Sequence, residues 1–263
     1  MRYGEQILKE VMVLLGSRKH FVFILLGIFL VVPNIAYAMH IMEGFLPAIW
    51  SILWTVLAVP FLIRGFFNIQ KTVIHEPKLK MLLGLAGAFV FVLSALKIPS
   101  VTGSCSHPTG VGLGAILFGP TAMSVIGCIV LLFQALLLAH GGITTLGANT
   151  FSMGVVGPLV SYGVFHLLKN TGRPRWLALF LAASLGNLST YVTTSFQLAL
   201  AFPSETGGVI FSLTKFLGVF VLTQVPLAIS EGILTVFIFN QLTVYSSNEL
   251  RELSLLPKEY THV

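Results

Sequence analysis

The sequence predicts an all-α polytopic membrane protein, and three observations support this fold class. Of the 263 residues, 56% are hydrophobic and only 9% are charged, whereas soluble domains carry about 25% charged residues. The mean hydropathy is +0.92, and the apolar residues fall into long runs. Such a composition excludes a soluble globular domain and a disordered chain, and two cysteines are too few for a disulfide scaffold.

The first apolar run has the three parts of a secretory signal. A basic stretch at 18–20 precedes twelve apolar residues at 21–32, and a small-x-small triplet follows at 36–38. Twelve helical residues cover roughly 18 Å, which is less than the ~30 Å hydrocarbon core of a bilayer. We therefore expect residues 1–38 to be a signal peptide cleaved after Ala38, so that Met39 begins the mature chain. An uncleaved signal anchor is the alternative.

Seven apolar segments follow, and one of them is too short to span a membrane alone. In order they are 48–63, 81–96, 111–118, 121–139, 151–168, 176–202 and 209–240. The short Gly-rich run at 111–118 predicts a half-length or re-entrant helix whose ends other helices cover. Pro226 interrupts the last run, which is long enough to tilt or kink.

The distribution of basic residues predicts the orientation of these segments. If the mature N-terminus lies outside and the seven segments alternate, the expected outer loops contain one basic residue, Lys97. The expected inner loops, which include 64–80, and the tail hold nine basic residues: Arg64, Lys71, Lys78, Lys80, Lys169, Arg173, Arg175, Arg251 and Lys258. The positive-inside rule therefore favours a membrane domain at 39–240 and a short cytoplasmic tail at 241–263.

Two ionisable residues, Lys215 and Glu231, fall within the last segment. A charge at membrane depth costs ~2.5 to 3.5 kcal/mol on insertion scales, so such residues usually face the bundle interior or an interface. We expect Lys215 to extend toward the outer surface. For Glu231 the sequence leaves open a polar contact inside the bundle and a contact with a partner protein.

The second residue of the expected mature chain is a histidine, which favours metal chelation. The α-amine of Met39 and the amide nitrogen and Nδ1 of His40 would close five- and six-membered rings on a metal ion. A fourth nitrogen from His107 would complete a square-planar set, which suits Ni(II), Cu(II) and Co(II). Because the amine and the amide must lose protons, we expect the affinity to rise with pH.

Other residues of the outer loops are expected to support such a site. Glu43 and Asn149 could hydrogen-bond to the ligands, and His140 could do the same, relay protons or cap a helix end. Cys105 and Cys128 are interpreted as small apolar residues. The histidines expected on the inner side, as solvated or capping residues, are His75, His166 and His262.

Enzyme signatures are missing from the sequence. It contains no P-loop GxxxxGK[ST], no HExxH and no GxSxG, no aspartate, and no carboxylate between Glu76 and Glu205. The dispersed basic residues form no face for nucleic acid. Besides a metal-binding membrane protein, the sequence leaves two other classes open: an intramembrane metalloenzyme, which needs an open coordination position, and a passive channel or scaffold.

Three stretches of the sequence closely resemble the CbiM family, the substrate-binding (S) component of energy-coupling-factor (ECF) cobalt transporters. They read MHIMEGFLP, LSALKIPSVTGSCSHPTGVGLGAILFGP and LLFQALLLAHGGITTLGANTFSMG. The resemblance implies a six-helix S-component core with an added N-terminal helix, in a bacterial or archaeal cell (inner) membrane. It also implies metal ligands at the positions of Met39, His40 and His107.

The same resemblance implies a non-catalytic transporter subunit with no resident cofactor. Its cargo would be cobalt(II) for cobalamin biosynthesis, with nickel(II) as the alternative. The implied partners are a transmembrane coupling (T) subunit, two cytoplasmic ATPase subunits and a small auxiliary membrane protein, with no nucleic acid. Separate ATPases would account for the missing P-loop.

Overall fold

The computed structural model describes residues 37–38, 40–99 and 104–257. Nearly all of the expected signal peptide and Met39 lie outside the described residues. Cleavage after Ala38 therefore stays a prediction.

Helices occupy the positions of all seven predicted segments. They are α1 (Ala48–His75), α2 (Leu79–Ala95), α3 (Val111–Phe118), α4 (Pro120–Leu138), α5 (Leu146–Asn149), a π-helical stretch (Thr150–Val156), α6 (Gly157–Leu168), α7 (Arg175–Ala201), α8 (Gly208–Tyr245) and α9 (Ser247–Glu252). Taking α5 to α6 as one span, five helices in the described part of the chain are long and apolar enough to cross a membrane, and α2 is a shorter apolar helix. The prediction of a helical, multi-pass membrane protein is confirmed.

A small sheet in the described part of the chain was not predicted from the sequence. Its strands are β1 (Tyr37–Ala38), β2 (Ile98–Pro99) and β3 (Ser104–Ser106), in the order β1-β3-β2. β1 runs parallel to β3, and β2 runs antiparallel to it. The chain leading to His40 therefore lies beside the chain leading to His107.

The first helix is longer than predicted. The loop predicted at 64–80 is wrong for residues 64–75, because α1 continues to His75 and comprises 28 residues. It ends just before Pro77, since the residue preceding a proline avoids the helical conformation. Arg64 and Lys71 lie on the exposed surface of this helix.

The short helix α3 is enclosed by its neighbours, as predicted. All of its residues but the last are buried. At Gly112 a Cβ would lie 2.9 Å from Cα of Ala183 in α7, and at Gly186 a Cβ would overlap Ser161 of α6. These small residues let the helices approach closely.

Apolar packing anchors the segment that enters α1. Ile41 and Leu46 are almost fully buried, and they pack in one cluster with Trp54, Ala148 and Leu198. The first of these side chains directly follows His40 in the sequence. The cluster therefore fixes the position of the backbone next to that histidine.

Candidate metal centre

Three histidines from separate parts of the chain form one buried cluster, which we term the histidine triangle. His40 follows β1, His107 follows β3, and His140 follows α4. At most 2% of each side chain is exposed. The ring centroid of His40 lies 4.4 Å from that of His107 and 4.6 Å from that of His140, and the third separation is 5.2 Å. One ring nitrogen of each residue lies within 4.8 Å of the other two, so the three could hold a metal ion.

Several imidazole nitrogens of the triangle are buried without a hydrogen-bond partner. His107 Nδ1 lies 2.9 Å from the Pro108 carbonyl oxygen, to which it can donate, and His40 Nε2 lies 3.2 Å from Met153 Sδ. The unpartnered atoms are His40 Nδ1, His107 Nε2 and both nitrogens of His140. Leaving a buried polar group unsatisfied costs about 1 to 3 kcal/mol. A cluster of such groups is typical of a site built for a ligand.

Burial lowers the pKa of all three imidazoles. Loss of solvation is the largest cause in each case, and it brings the pKa of His107 to about 4 and that of His140 to about 2. The pKa of His40 also lies well below its usual value, and charge on the other two rings lowers it further. The positive charge of Lys97 acts in the same direction on all three. At neutral pH the rings are therefore uncharged, which is the form that binds metal ions.

The backbone beside His40 is held by Asn149 and Thr145. The amide of Ile41 donates to Asn149 Oδ1 at 2.8 Å, and Asn149 Nδ2 donates back to the Ile41 carbonyl at 3.0 Å. Thr145 Oγ1 donates to the same carbonyl at 2.6 Å. Asn149 thus acts on the residue next to His40, and its suggested contact with the metal ligands stays a prediction.

Glu43 joins the loop after His40 to the loop after His140. Its carboxylate accepts hydrogen bonds from the amides of Ile143 and Thr144, and its own amide donates to the Gly141 carbonyl at 3.2 Å. Hydrogen bonds from Thr144, and then from Ile143, hold the pKa of this exposed carboxyl below its usual value. Glu43 therefore fixes the two loops together, and its suggested contribution beside the metal ligands stays a prediction.

The loop after His107 is held by Glu231 from within the bundle. This carboxylate, 1% exposed, accepts hydrogen bonds from the amides of Thr109 and Gly110 at 2.6 and 2.9 Å, from Thr109 Oγ1 at 3.0 Å and from Asn187 Nδ2 at 2.6 Å. Those amides stand at the N-terminus of α3, where a negative charge is favourable. The sequence left two roles open for Glu231, and in the structure Glu231 makes a polar contact inside the bundle. Lys215, in contrast, is exposed on α8.

Two residues of this polar network were not found by sequence reasoning. Gln224 Nε2 donates to Asn187 Oδ1 and lies 3.4 Å from the His107 carbonyl oxygen, and both side chains are fully buried. Gln224 and Asn187 are polar residues within apolar segments, and this feature of the sequence could have identified them. They connect α7 and α8 to the backbone of a site residue.

Met153 is a further residue that the sequence did not indicate. It is fully buried in the π-helical stretch, against His40. π-helical turns occur often at functional sites, and no simple sequence pattern marks them.

The other predicted residues that the structure describes do not join the triangle. His75 and His166 each place Nδ1 near a carbonyl of their own helix, at 2.8 and 3.0 Å. Cys128 is a half-buried free thiol. Met39, His262 and the side chain of Cys105 lie outside the described residues.

Comparison with known proteins identifies the class to which this fold and site belong. Residues 40–249 match the family described as the cobalt uptake substrate-specific transmembrane region, CbiM. The chain is 69% identical over 218 residues to the cobalt transport protein CbiM of Desulforamulus reducens, covering 83% of this chain and 86% of that protein. It is 65% identical over 222 residues to the protein of the same name from Moorella thermoacetica, covering 84% and 86%.

Comparison with solved structures also finds a metal transporter. The crystal structure of a truncated transition metal transporter matches with a TM-score of 0.70 at 26% identity, covering 78% of this chain and 99% of that one. Together the matches define a multi-pass membrane component of metal transport. The chain belongs to the CbiM family, which confirms the resemblance seen in its sequence and its expected role as a transport component without enzymatic activity.

We predict that the metal-free protein loses stability as the pH falls below about 6.5. Unfolded histidines titrate near that value, whereas the three buried rings titrate lower, so the unfolded state binds more protons in between and is favoured by acid. Thermal unfolding in detergent at pH 7, 6 and 5 should show a falling midpoint. His75→Ala should keep the same slope and His140→Phe should flatten it. A midpoint independent of pH would contradict buried neutral histidines.

We also predict that Glu231 governs metal affinity through the His107 loop. Glu231→Ala leaves the amides of Thr109 and Gly110 without an acceptor, so the affinity should fall by about 10- to 100-fold, as with other residues that orient metal ligands. Glu231→Gln keeps the volume and should cost less. Titration calorimetry measures the change, with exposed Glu205→Gln as the control. Unchanged affinity in a folded Glu231→Ala protein would remove this role.

Proposed function

We propose that this chain is the substrate-capture membrane subunit of an ATP-driven ECF transporter that imports cobalt(II) and supplies cobalamin biosynthesis. The observation that carries this proposal is the buried histidine triangle in a member of a cobalt uptake family. Its relatives from Desulforamulus reducens and Moorella thermoacetica are named cobalt transport proteins. Nickel(II) is the second candidate, because a planar set of nitrogen ligands suits it equally well.

In the proposed mature protein, four nitrogens hold the metal ion. They are the α-amine of Met39, the amide and Nδ1 of His40, and Nε2 of His107. The unpartnered state of His40 Nδ1 and His107 Nε2 supports this choice of ring nitrogens. The low pKa of both rings means that neither needs to lose a proton at neutral pH. The proposed rise of affinity with pH therefore comes from the amine and the amide.

The proposed transport cycle divides the work between this chain and its partners. This chain would bind the metal ion at the extracytoplasmic face, where we place the mature N-terminus, and its C-terminal tail would be cytoplasmic. A transmembrane coupling subunit and two cytoplasmic ATPases would supply the energy for inward release, together with a small auxiliary membrane protein. The absence of a P-loop from the sequence supports separate ATPases.

We predict that the position of His40 relative to a free amine determines affinity. A Gly-Ser spacer between Met39 and His40 separates the amine from the imidazole, and His107→Ala removes the fourth nitrogen. Each change should weaken Co(II) and Ni(II) binding by more than about 100-fold, beyond the loss expected for supporting residues. Mass spectrometry should identify Met39 as the first residue, and His75→Ala is the matched control in the titrations.

Equal affinity with and without the spacer would contradict the proposed ligand set. Uptake into vesicles then separates the proposed transporter from a passive channel. Metal accumulation should require the ATPase subunits and ATP. Accumulation that persists without them would favour a channel.

A further inference from the structure

We propose that His140 is a metal ligand in a second coordination state, in which His40, His107 and His140 bind Co(II) or Zn(II) without the terminal amine. The inference rests on the proposed function, because both states use His40 and His107. The second state adds His140 as a third histidine ligand and has a different coordination geometry. It also does not require cleavage of the signal peptide.

The burial of His140 is the first argument. Its side chain is 1% exposed, and neither ring nitrogen has a hydrogen-bond partner. A neutral imidazole carries one donor and one acceptor, so burial of both without partners is unfavourable unless a ligand takes one of them. The two rings nearest to it, those of His40 and His107, each have one free nitrogen as well.

The backbone on both sides of His140 is held in a conformation that fits this purpose. Ala139 has a φ of 46°, which is rare for a residue with a side chain, and Gly141 has a φ of 79°. A Cβ at Gly141 would lie 3.5 Å from His40 Cβ and 3.3 Å from Asn149 Nδ2. Glycine adopts a positive φ freely, so the strained residue is Ala139, and backbone strain of this kind is concentrated at functional sites. Here it brings the His140 loop directly against His40.

The arrangement of the rings favours a tetrahedral ion. The ring planes are inclined to each other by 52° to 73°, so no two rings stack in parallel. With metal–nitrogen distances of 2.0–2.1 Å, tetrahedral ligand nitrogens lie about 3.3 Å apart, so from their present limit of 4.8 Å the nitrogens must approach each other by at most about 1.5 Å. Three imidazoles with one open position for water or an exchanging ligand suit Zn(II) and Co(II).

The position of His40 does not depend on a free amine. In the described chain, β1 precedes His40 and pairs with β3, with Ala38 opposite Cys105. Ile41 is held by Asn149 on the other side. The triangle is therefore assembled in a chain that still carries the residues before Met39, and the three-imidazole state is open to the uncleaved protein.

The test uses the protein with the Gly-Ser spacer before His40, which disables the terminal chelate. Co(II) added to this protein should give the intense visible absorption of a four-coordinate ion, and Zn(II) should displace it. His140→Ala and the space-filling His140→Phe should each weaken this residual Co(II) binding by more than about tenfold. In the mature protein without the spacer, the same substitutions should change Ni(II) affinity by less than about tenfold, and His75→Ala should change neither.

Two results would overturn the inference and leave the proposed function standing. One is a spacer protein that binds neither Co(II) nor Zn(II). The other is an equal loss of Ni(II) affinity in the mature protein on replacing His140, which would make this histidine a positioning residue only. The proposed terminal chelate fails on a different result, in which the spacer protein binds as tightly as the mature protein, and the proposed transport fails if uptake does not require the ATPases.

Discussion

The buried carboxylate of Glu231 is the interaction on which the site depends. It accepts hydrogen bonds from the N-terminus of α3 and from Asn187 of α7, while its own backbone belongs to α8. A buried charge without such partners would cost several kcal/mol. The carboxylate therefore needs the amides of the His107 loop as hydrogen-bond donors, and those amides need the carboxylate as acceptor. Through these bonds α3, α7 and α8 together fix the position of His107.

The other two histidines are held by contacts between loops. Asn149 and Thr145 bind the backbone beside His40, and Glu43 connects this segment to the loop of His140. Ile41 is also packed in the apolar cluster with Trp54 and Leu198, which fixes the backbone next to His40. Because both sets of contacts are made by the protein's own residues, they fix the backbone on either side of the imidazoles and so orient them for a ligand.

The sequence was sufficient to locate the helices and to single out His40 and His107, whose rings lie together in the structure, because hydropathy and chain-end chemistry are local properties. The sequence could not show which side chains contact those histidines in the folded protein. The 64–80 loop prediction failed because polar residues on a helix surface resemble a loop. Gln224 and Met153 were missed because their importance arises from contacts across the fold, with His107 and His40. Likewise, the sequence left the role of Glu231 open because only helix packing places Thr109 against it.

The central claim is that a freed chain end and two buried histidines surround the metal ion with nitrogen. X-ray absorption spectroscopy of the Co(II)-loaded mature protein tests it most directly, since the spectrum reports the number and type of ligands. The account predicts four nitrogen ligands, two of them imidazoles by their outer-shell scattering, in a planar arrangement. A six-coordinate ion bound mainly by water oxygen, with one imidazole or none, would contradict it.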